Sequence, residues 1–307
     1  MNKVLLSVVI PVYRSEAFIA ACIESVLVQS FSNFELIVVD DGSDDASGSI
    51  CDAIARRDDR ITVIHQTNSG RSAARARGVA AAQGEWVTFV DSDDRLPSEA
   101  LALLYAAATD ETDIVMGNGY TLHLDPCPRR IEIEEFRHLA VRSEGTIGVP
   151  WGSLYRRTLL SEWLFDIPRH IIHVEDYLFW LRLVFATEKP VHIVPESVYD
   201  KGDEHTCNSF VWTADYSQEL DGLRRLSIPA SRHSDFLDDM LSDRLTNMFS
   251  VAVCTPRREW QHSAFYRDIR ADIKRLGRSL PLKKRLFFLL PCRSLRRLYS
   301  WLGERLH

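Results

Sequence analysis

We predict that the chain adopts an α/β fold, a mostly parallel sheet flanked by helices, with a helical C-terminal extension. Short apolar runs alternate with segments of helical spacing through the first third of the 307 residues. Acidic or polar clusters follow several of these runs, as expected where parallel strands end at one edge of a sheet. Beyond residue 213 the pattern is mostly helical.

The predicted strands and helices alternate along the chain, which implies parallel strands joined by crossover helices. Apolar runs predict strands at residues 7–12, 36–39, 61–65, 86–90, 113–116 and 191–194. Helical spacing predicts helices at residues 16–29, 46–55, 72–82, 96–108 and 175–187. The helix at 175–187 is predicted to be amphipathic, with two acids at its start. Residues 118–150 are less regular and are expected to form a loop or a small excursion over the site.

The composition is typical of soluble proteins, at 46% hydrophobic and 26% charged residues. No apolar run approaches the length of a membrane span. The apolar residues 4–10 lead into Pro11 without a small-residue cleavage site, which favours a buried first strand over a signal peptide. The six cysteines form no Cys-x-x-Cys pair, so we expect no zinc site or disulfide framework, and a reducing cytoplasm.

Positive charge is concentrated at the C-terminal end. Residues 270–307 contain eleven Lys or Arg and two acids, a net charge of +9, in a chain whose net charge is -6. Within them, residues 281–302 interleave basic and apolar side chains, which suits a helix lying on the anionic inner face of the cell membrane. The same pattern suits a packed terminal helix pair or an oligomer interface. The oligomeric state is not indicated, and no nucleic-acid partner is predicted because the predicted site is acidic.

Three carboxylates follow the predicted strand at 86–90, in Asp91-Ser92-Asp93-Asp94. Clustered carboxylates repel one another unless a positive group joins them. They suit Mg²⁺ or Mn²⁺, and such an ion usually also takes substrate phosphates. Taken alone, the cluster equally suits a solvated turn.

Two further clusters end earlier predicted strands, at Pro11-Val12-Tyr13 and Asp40-Asp41-Gly42-Ser43. Their shared location favours a functional site over isolated turns. No Gly-x-Gly-x-x-Gly or P-loop pattern follows these strands, which argues against a dinucleotide enzyme or an NTPase.

Together with two later motifs, these clusters resemble, in order and spacing, family 2 glycosyltransferases with the nucleotide-sugar-binding GT-A fold. The later motifs are Asn68-Ser-Gly70-Arg-Ser-Ala-Ala-Arg75 and Glu175-Asp176. The segment Trp151-Gly-Ser-Leu-Tyr155-Arg156 is similar to the middle motif of the branch that makes bacterial capsule, O-antigen and related surface glycans. The resemblance covers about residues 5–200.

The resemblance implies a domain organisation. A glycosyltransferase domain would occupy residues 1–210, with a nucleotide-sugar half at about 1–117 and an acceptor half at about 118–210. A helical, basic region would occupy residues 211–307.

The resemblance also implies roles for residues that bind the donor, a uridine-diphosphate sugar. Pro11 and Tyr13 would line the base, and Asp41 would accept a hydrogen bond from the N–H of uracil. Arg75 would neutralise phosphates. Asp91 would approach the ribose or a metal-bound water, and Asp94 the donor sugar.

For catalysis, the resemblance implies a divalent metal, Mn²⁺ or Mg²⁺, held by Asp93. Asp176 would be the base that takes the proton of the acceptor hydroxyl, and Glu175 would orient that hydroxyl or the base. The reaction would be one inverting displacement that moves a hexose or N-acetylhexosamine to a glycan or lipid-linked saccharide.

The chain departs from the family pattern at Arg14 and Ala76, where Asn is common, and at Ser153, where Lys is usual. These departures leave the donor sugar open. Two alternatives are a sugar-phosphate nucleotidyltransferase, which should have a Gly-rich basic first loop, and a non-catalytic glycan- or nucleotide-binding module. The intact Asp93 and Asp176 argue against the second.

Overall fold

An eight-stranded sheet organises the first of the two units into which the chain divides, Met1–Thr206 and Cys207–His307. The computed structural model describes residues 4–118, 129–143, 148–202 and 210–277. In those residues the strands are β1 Leu6–Val12, β2 Phe34–Asp40, β3 Ile61–His65, β4 Trp86–Phe89, β5 Ile114–Asn118, β6 Arg130–Ile131, β7 Ser153–Arg156 and β8 Val191–Ser197. Their order in the sheet is β3-β2-β1-β4-β7-β5-β8-β6.

The first four strands form the parallel half of the sheet, with Val8 of β1 paired to Leu36 of β2 and to Thr88 of β4. β7 lies between β4 and β5 and is antiparallel to both, whereas β5 and β8 are parallel. The mostly parallel sheet confirms the predicted fold class. The strand β7 was not predicted, because only two of its four residues, Leu154 and Tyr155, are apolar.

Helices flank this sheet and make up the second unit. In the first unit they are α1 Ile19–Leu27, α2 Ser47–Ala55, α3 Arg71–Ala81, α4 Ala100–Ala106, α5 Ile133–Arg142 and α6 Glu175–Leu183. In the second unit they are α7 Ala214–Ser227, α8 Leu237–Cys254, α9 Arg257–Trp260 and α10 Ala264–Arg275. Several are shorter than the sequence predicts. For example, α4 begins at Ala100 rather than at residue 96.

The core of the first unit lies between β1, β2 and the flanking helices. Val8, Ile10, Leu36 and Ile23 are fully buried there, and each such side chain contributes about 1.5–3 kcal/mol of hydrophobic stabilisation. On α3, a Cβ at Gly78 would lie 2.3 Å from Cγ1 of Val9. Glycine at this position therefore lets α3 lie directly on β1, which places the start of α3 at the carboxyl end of the sheet.

The helix α6 is buried on all sides rather than amphipathic as predicted. Its aromatic residues pack into the interior, with Phe179 against Phe89 and Trp180 against Phe136. Within this helix, all of which the structure describes, Asp176 is the one residue that is not buried. A rigidly packed helix thus presents a single partly exposed carboxylate at its first turn.

The second unit has a core of its own, formed by residues such as Met248, Trp260 and Phe265. It also buries Arg244, whose guanidinium pairs with Asp221 and Asp272. No described helix is both long and apolar enough to cross a membrane. The predicted boundary at residue 210 lies four residues beyond the end of the first unit, and the basic segment 281–302 lies outside the described residues.

Candidate functional site

The acidic segment 91–94 lies at the carboxyl end of β4 and forms a tight turn. The backbone N–H of Asp94 donates to the carbonyl oxygen of Asp91 at 3.1 Å. The hydroxyls of Ser92 and Ser15 are 2.6 Å apart, which ties this turn to the segment that follows β1. The ends of two neighbouring parallel strands are therefore held together, as the sequence predicts.

Arg75 joins this turn to the helix α6. Its Nη2 donates to Oδ1 of Asp91 at 2.8 Å, and its Nη1 donates to Oδ1 of Asp176 at 2.6 Å. Burial opposes the charge of Arg75, but the two carboxylates outweigh burial and raise the pKa of the guanidinium. The predicted metal segment and the predicted base thus belong to one site, with Arg75 between them.

Asp94 is held by the segment that follows β8. Tyr199 donates its hydroxyl proton to Oδ2 of Asp94 at 2.7 Å, and the N–H of Gly202 donates to Oδ1 at 2.8 Å. The same hydroxyl accepts the N–H of Asp91 at 3.0 Å. Burial raises the pKa of Asp94 despite these hydrogen bonds. In this structure Asp94 anchors the turn, and its predicted contact with the donor sugar stays a prediction.

Asp93 and Asp91 are the partly exposed carboxylates of the cluster, and Asp91 is paired with Arg75. In the described residues no three His, Cys, Asp or Glu side chains are grouped so that they could hold a metal ion. A site with one or two carboxylates fits Mg²⁺ or a similar ion that takes its remaining ligands from water and substrate phosphates. The carboxylates of this turn therefore fit such an ion, and the role of Asp93 as its protein ligand stays a prediction.

Asp41 is buried at the end of β2 and fixes the loop that precedes α3. Its Oδ1 accepts from the side chain of Gln66 and the N–H of Ser69, and its Oδ2 accepts from the N–H of Gly70, each at 2.8 Å. Its neighbour Asp40 is turned to His65, with Oδ2 2.9 Å from Nδ1. The structure brings Asp41 to the predicted edge of the sheet, where its contact with uracil stays a prediction.

The first strand ends with a buried Pro11 and an exposed Tyr13, whose side chain is 45% exposed. The guanidinium of Arg14 lies 5.3 Å from the centroid of this ring, and the contact of Tyr13 with a nucleotide base stays a prediction. Arg14 follows with a φ of 50°, a left-handed conformation that suits Asn better than Arg. Its guanidinium is bonded to both carboxylate oxygens of Asp44 at 2.6 Å. This exposed ion pair holds the side chain of Arg14 at a position where the family that the chain resembles commonly has Asn.

Glu175 precedes Asp176 at the first turn of α6, and its side chain is 8% exposed. Its Oε1 lies 3.3 Å from Nε of Arg71. Burial, helped by the neighbouring charge of Asp176, raises the pKa of Glu175 to about 7, although Arg71 and Arg75 oppose the shift. A carboxyl group with this pKa changes its charge near neutral pH.

Three residues that support the acidic turn, Ser15, Tyr199 and Gly202, were not predicted from the sequence. A Cβ at Gly202 would lie 2.6 Å from the carbonyl oxygen of Asp93, so only glycine fits without displacing the turn. The available signal was the pair Tyr199 and Gly202 just after a predicted strand. Trp151, the first residue of the middle motif, stacks on Tyr199 with ring centroids 4.3 Å apart.

Known proteins resemble this chain in sequence. The model of the family described as Glycosyl transferase family 2 matches residues 7–164. The "Putative glycosyltransferase EpsH" of Bacillus subtilis is 35% identical over 196 residues, which cover 60% of this chain and 57% of that protein. The match therefore spans little more than half of this curated relative.

Solved structures share the fold. Residues 1–349 of S. aureus TarS, in complex with UDP, superpose with a TM-score of 0.59 at 20% identity, covering 90% of this chain and 93% of that chain. The mannosyltransferase PcManGT from Pyrobaculum calidifontis, in complex with GDP-Man and Mn²⁺, superposes with a TM-score of 0.56 at 17% identity, covering 97% and 84%. At these identities the likeness shows a shared GT-A fold.

Proposed function

Because this chain belongs to the Glycosyl transferase family 2, we propose that it moves a sugar from a uridine-diphosphate donor to a hydroxyl of a glycan or lipid-linked acceptor. The observation that carries the proposal is the double ion pair of Arg75 with Asp91 and Asp176. These ion pairs join Asp91, on the donor side, to Asp176, the proposed base, at the edge of the sheet where ligands bind in folds of this kind. The UDP complex of TarS supports a uridine donor. Membership of the family argues against a nucleotidyltransferase.

Asp176 acts as the base of one inverting displacement. Its Oδ1 is bonded to Arg75, which holds the carboxylate so that its other oxygen can take the proton of the acceptor hydroxyl. The acceptor oxygen then forms its bond to the anomeric carbon while the bond from that carbon to the diphosphate breaks. The bonding electron pair leaves with UDP, and an α-linked donor gives a β-linked product.

Asp93 would hold the divalent ion against the diphosphate, as the Mn²⁺ complex of PcManGT supports. When bound, the ion supplies positive charge to the departing diphosphate. The hydrogen bonds from Tyr199 and Gly202 to Asp94 keep the turn in place, so the orientation of Asp93 is set before the donor arrives. Because the turn is already ordered, the reaction does not require free energy to order it.

The substitutions Asp93→Asn and Asp176→Asn separate these two roles. We expect D93N to lose metal-dependent UDP binding. D176N should bind UDP within about 2-fold of wild type and lose transfer by about 10³-fold, because Asn retains the hydrogen bond but not the basicity. Calorimetry with UDP and a panel of nucleotide sugars in Mn²⁺, Mg²⁺ or EDTA would measure both effects. Equal loss of UDP binding in the two variants, or no uridine donor turned over, would contradict the proposal.

A further inference from the structure

A cavity of about 300 Å³ opens between the start of α3 and the segment that precedes α6. Residues 69–73 form one wall and residues 165–169, 171 and 172 the other, with Glu175 between them. Neither Asp93 nor Asp176 lines it. Its volume suits a single sugar unit, at the small end of the range of ligand pockets.

Glu175 supplies an acceptor of hydrogen bonds inside this cavity. Apart from its own backbone amide, no donor in the described residues hydrogen-bonds its carboxylate, and its ion pair is with the largely exposed Arg71. A buried carboxylate that accepts no hydrogen bond from a side chain destabilises the folded protein until a donor reaches it. A sugar hydroxyl is such a donor, and the adjacent Asp176 would then face the same sugar.

The cavity also offers an apolar surface. The side chains of Phe165 and Ile171 are buried in its wall, and Ile172, at 55% exposure, lies at its rim. The C–H faces of a sugar ring can pack on such groups while its hydroxyls point to the polar wall. This combination of apolar surface and few polar groups is typical of a small-molecule site.

Positive groups face the same space. Arg71 and Arg169 both line the cavity, and both are exposed. The guanidinium of Arg169 donates to the carbonyl and side-chain oxygens of Asn68 rather than to a carboxylate. The first turn of α3, which starts at Arg71, has no capping side chain. The two arginines balance the two acids of the lining, Glu175 and Asp166, and the start of α3 adds partial positive charge.

We propose that this cavity binds the acceptor, and that the acceptor is a saccharide carrying an anionic group, a phosphate or a carboxylate, beside the reacting sugar. Arg71 and Arg169 bind the anion, and Glu175 accepts a hydrogen bond from the sugar. The inference rests on the proposed function, because it is Asp176 as base that makes a sugar beside Glu175 an acceptor.

Binding of three probes to the UDP-loaded protein tests this inference. The probes are a hexose 1-phosphate, a methyl hexuronide and a neutral methyl hexoside, measured by calorimetry or ligand-observed NMR. Arg169→Gln should weaken the anionic probes by about 10-fold or more, since hydrogen bonds to charged groups contribute about 1.5–3 kcal/mol. It should change the neutral probe by less than about 2-fold, because that probe has no anion for Arg169 to bind.

Two further variants control for folding and for bulk charge. Arg77→Gln removes the same charge from an exposed position of α3 outside the cavity, and should bind all probes as wild type does. Arg169→Lys keeps the charge and should bind the anionic probes better than R169Q. Tighter binding of the phosphate or of the carboxylate would identify the source of the anion.

Equal binding of neutral and anionic probes by wild type, or anion binding unchanged in R169Q, would overturn the inference. Failure of this inference can be told apart from failure of the proposed function. Turnover of uridine donors onto neutral acceptors, unchanged in R169Q, would remove the anion site and leave the transferase. Anion binding that depends on Arg169, in a protein that turns over no donor, would support the anion site and contradict the proposed transferase activity.

Discussion

The buried Arg75 is the positive charge that allows two acidic segments to meet. Its side chain is 3% exposed, and its two ion pairs reach Asp91 and Asp176. Removing one partner from a buried ion pair typically costs about 3–5 kcal/mol, because the other charge is left uncompensated. From its motif, Arg75 was predicted to face phosphates. The structure shows that its charge is already shared between two carboxylates, so any phosphate contact would compete with them.

Glu175 makes the stability of the protein depend on pH. Its pKa is raised from 4.5 to about 7, so between these values the folded state binds the proton more tightly than the unfolded state does. Stability therefore falls as pH rises through this window, and the cost of the buried charge is complete above pH 7, at roughly 3 kcal/mol.

Glu175→Gln should remove this cost. We expect the variant to exceed wild type in free energy of unfolding by about 1–3 kcal/mol at pH 8, and by little at pH 5. Urea unfolding at the two pH values would measure the difference. Glu196→Gln, at an exposed position in β8, is the matched control and should show no such pH dependence. A loss of stability in E175Q at pH 8 would show that the charge of Glu175 stabilises the fold.

At the scale of elements, the segment after β8 positions the acidic turn after β4. Tyr199 links the two by donating to Asp94 and accepting from the N–H of Asp91. Tyr199→Phe keeps the stacking on Trp151 but removes the hydrogen bond to Oδ2 of Asp94 and the one from the N–H of Asp91, at a cost of about 1–3 kcal/mol. The turn should then be less well ordered around Asp93.

We expect Y199F to weaken metal-dependent UDP binding by about 10-fold or more, with little change in metal-free binding. Titration of UDP with Mn²⁺ and with EDTA would separate the two. The control is Tyr105→Phe, since Tyr105 packs its ring on Phe31 and lies away from the turn. Equal weakening in EDTA would indicate a general loss of structure rather than a displaced metal ligand.

The elements differ in how far the sequence predicts them. The parallel strands β1, β2 and β4 follow from continuous apolar runs, because a strand buried on both faces admits few polar residues. Helix ends are less well predicted. The helix α1 begins at Ile19 instead of residue 16 and has no capping side chain to mark its start. The burial of α6 could not be predicted either, because its polar Arg182 is buried by bonding to the carbonyl oxygens of Trp163 and Asp166.

At the scale of the whole molecule, local motifs identified which residues lie at the site but not how they are partnered. Asp41 and Asp93 lie at one edge because the sheet order brings β2, β1 and β4 side by side, and Asp176 reaches that edge from α6 through Arg75. The role of Arg75 as a bridge depends on α6 packing near α3, a contact between residues 101 positions apart. Spacing along the sequence carries no information on such distant pairs.

The distribution of charge over the molecule motivates a last proposal, that the protein works in the cytoplasm on the inner face of the membrane. Residues 270–307 have a net charge of +9 in a chain of net charge -6, so the remainder would be repelled by anionic lipid while this end is attracted. Each basic residue near an anionic surface contributes about 1 kcal/mol. Neutralising Lys283, Lys284 and Arg285 to Gln should therefore weaken binding to anionic vesicles by about 10²-fold.

Flotation with anionic and with neutral vesicles measures this effect, and salt should diminish it because ions screen surface charge. The matched control neutralises three exposed arginines of the first unit, Arg56, Arg57 and Arg77. If bulk charge alone governed binding, both triple variants would lose the same amount. A chain ending at Leu280 should lose flotation altogether. Unchanged flotation of that chain, with a lower mass by sedimentation, would instead assign the basic segment to an oligomer interface.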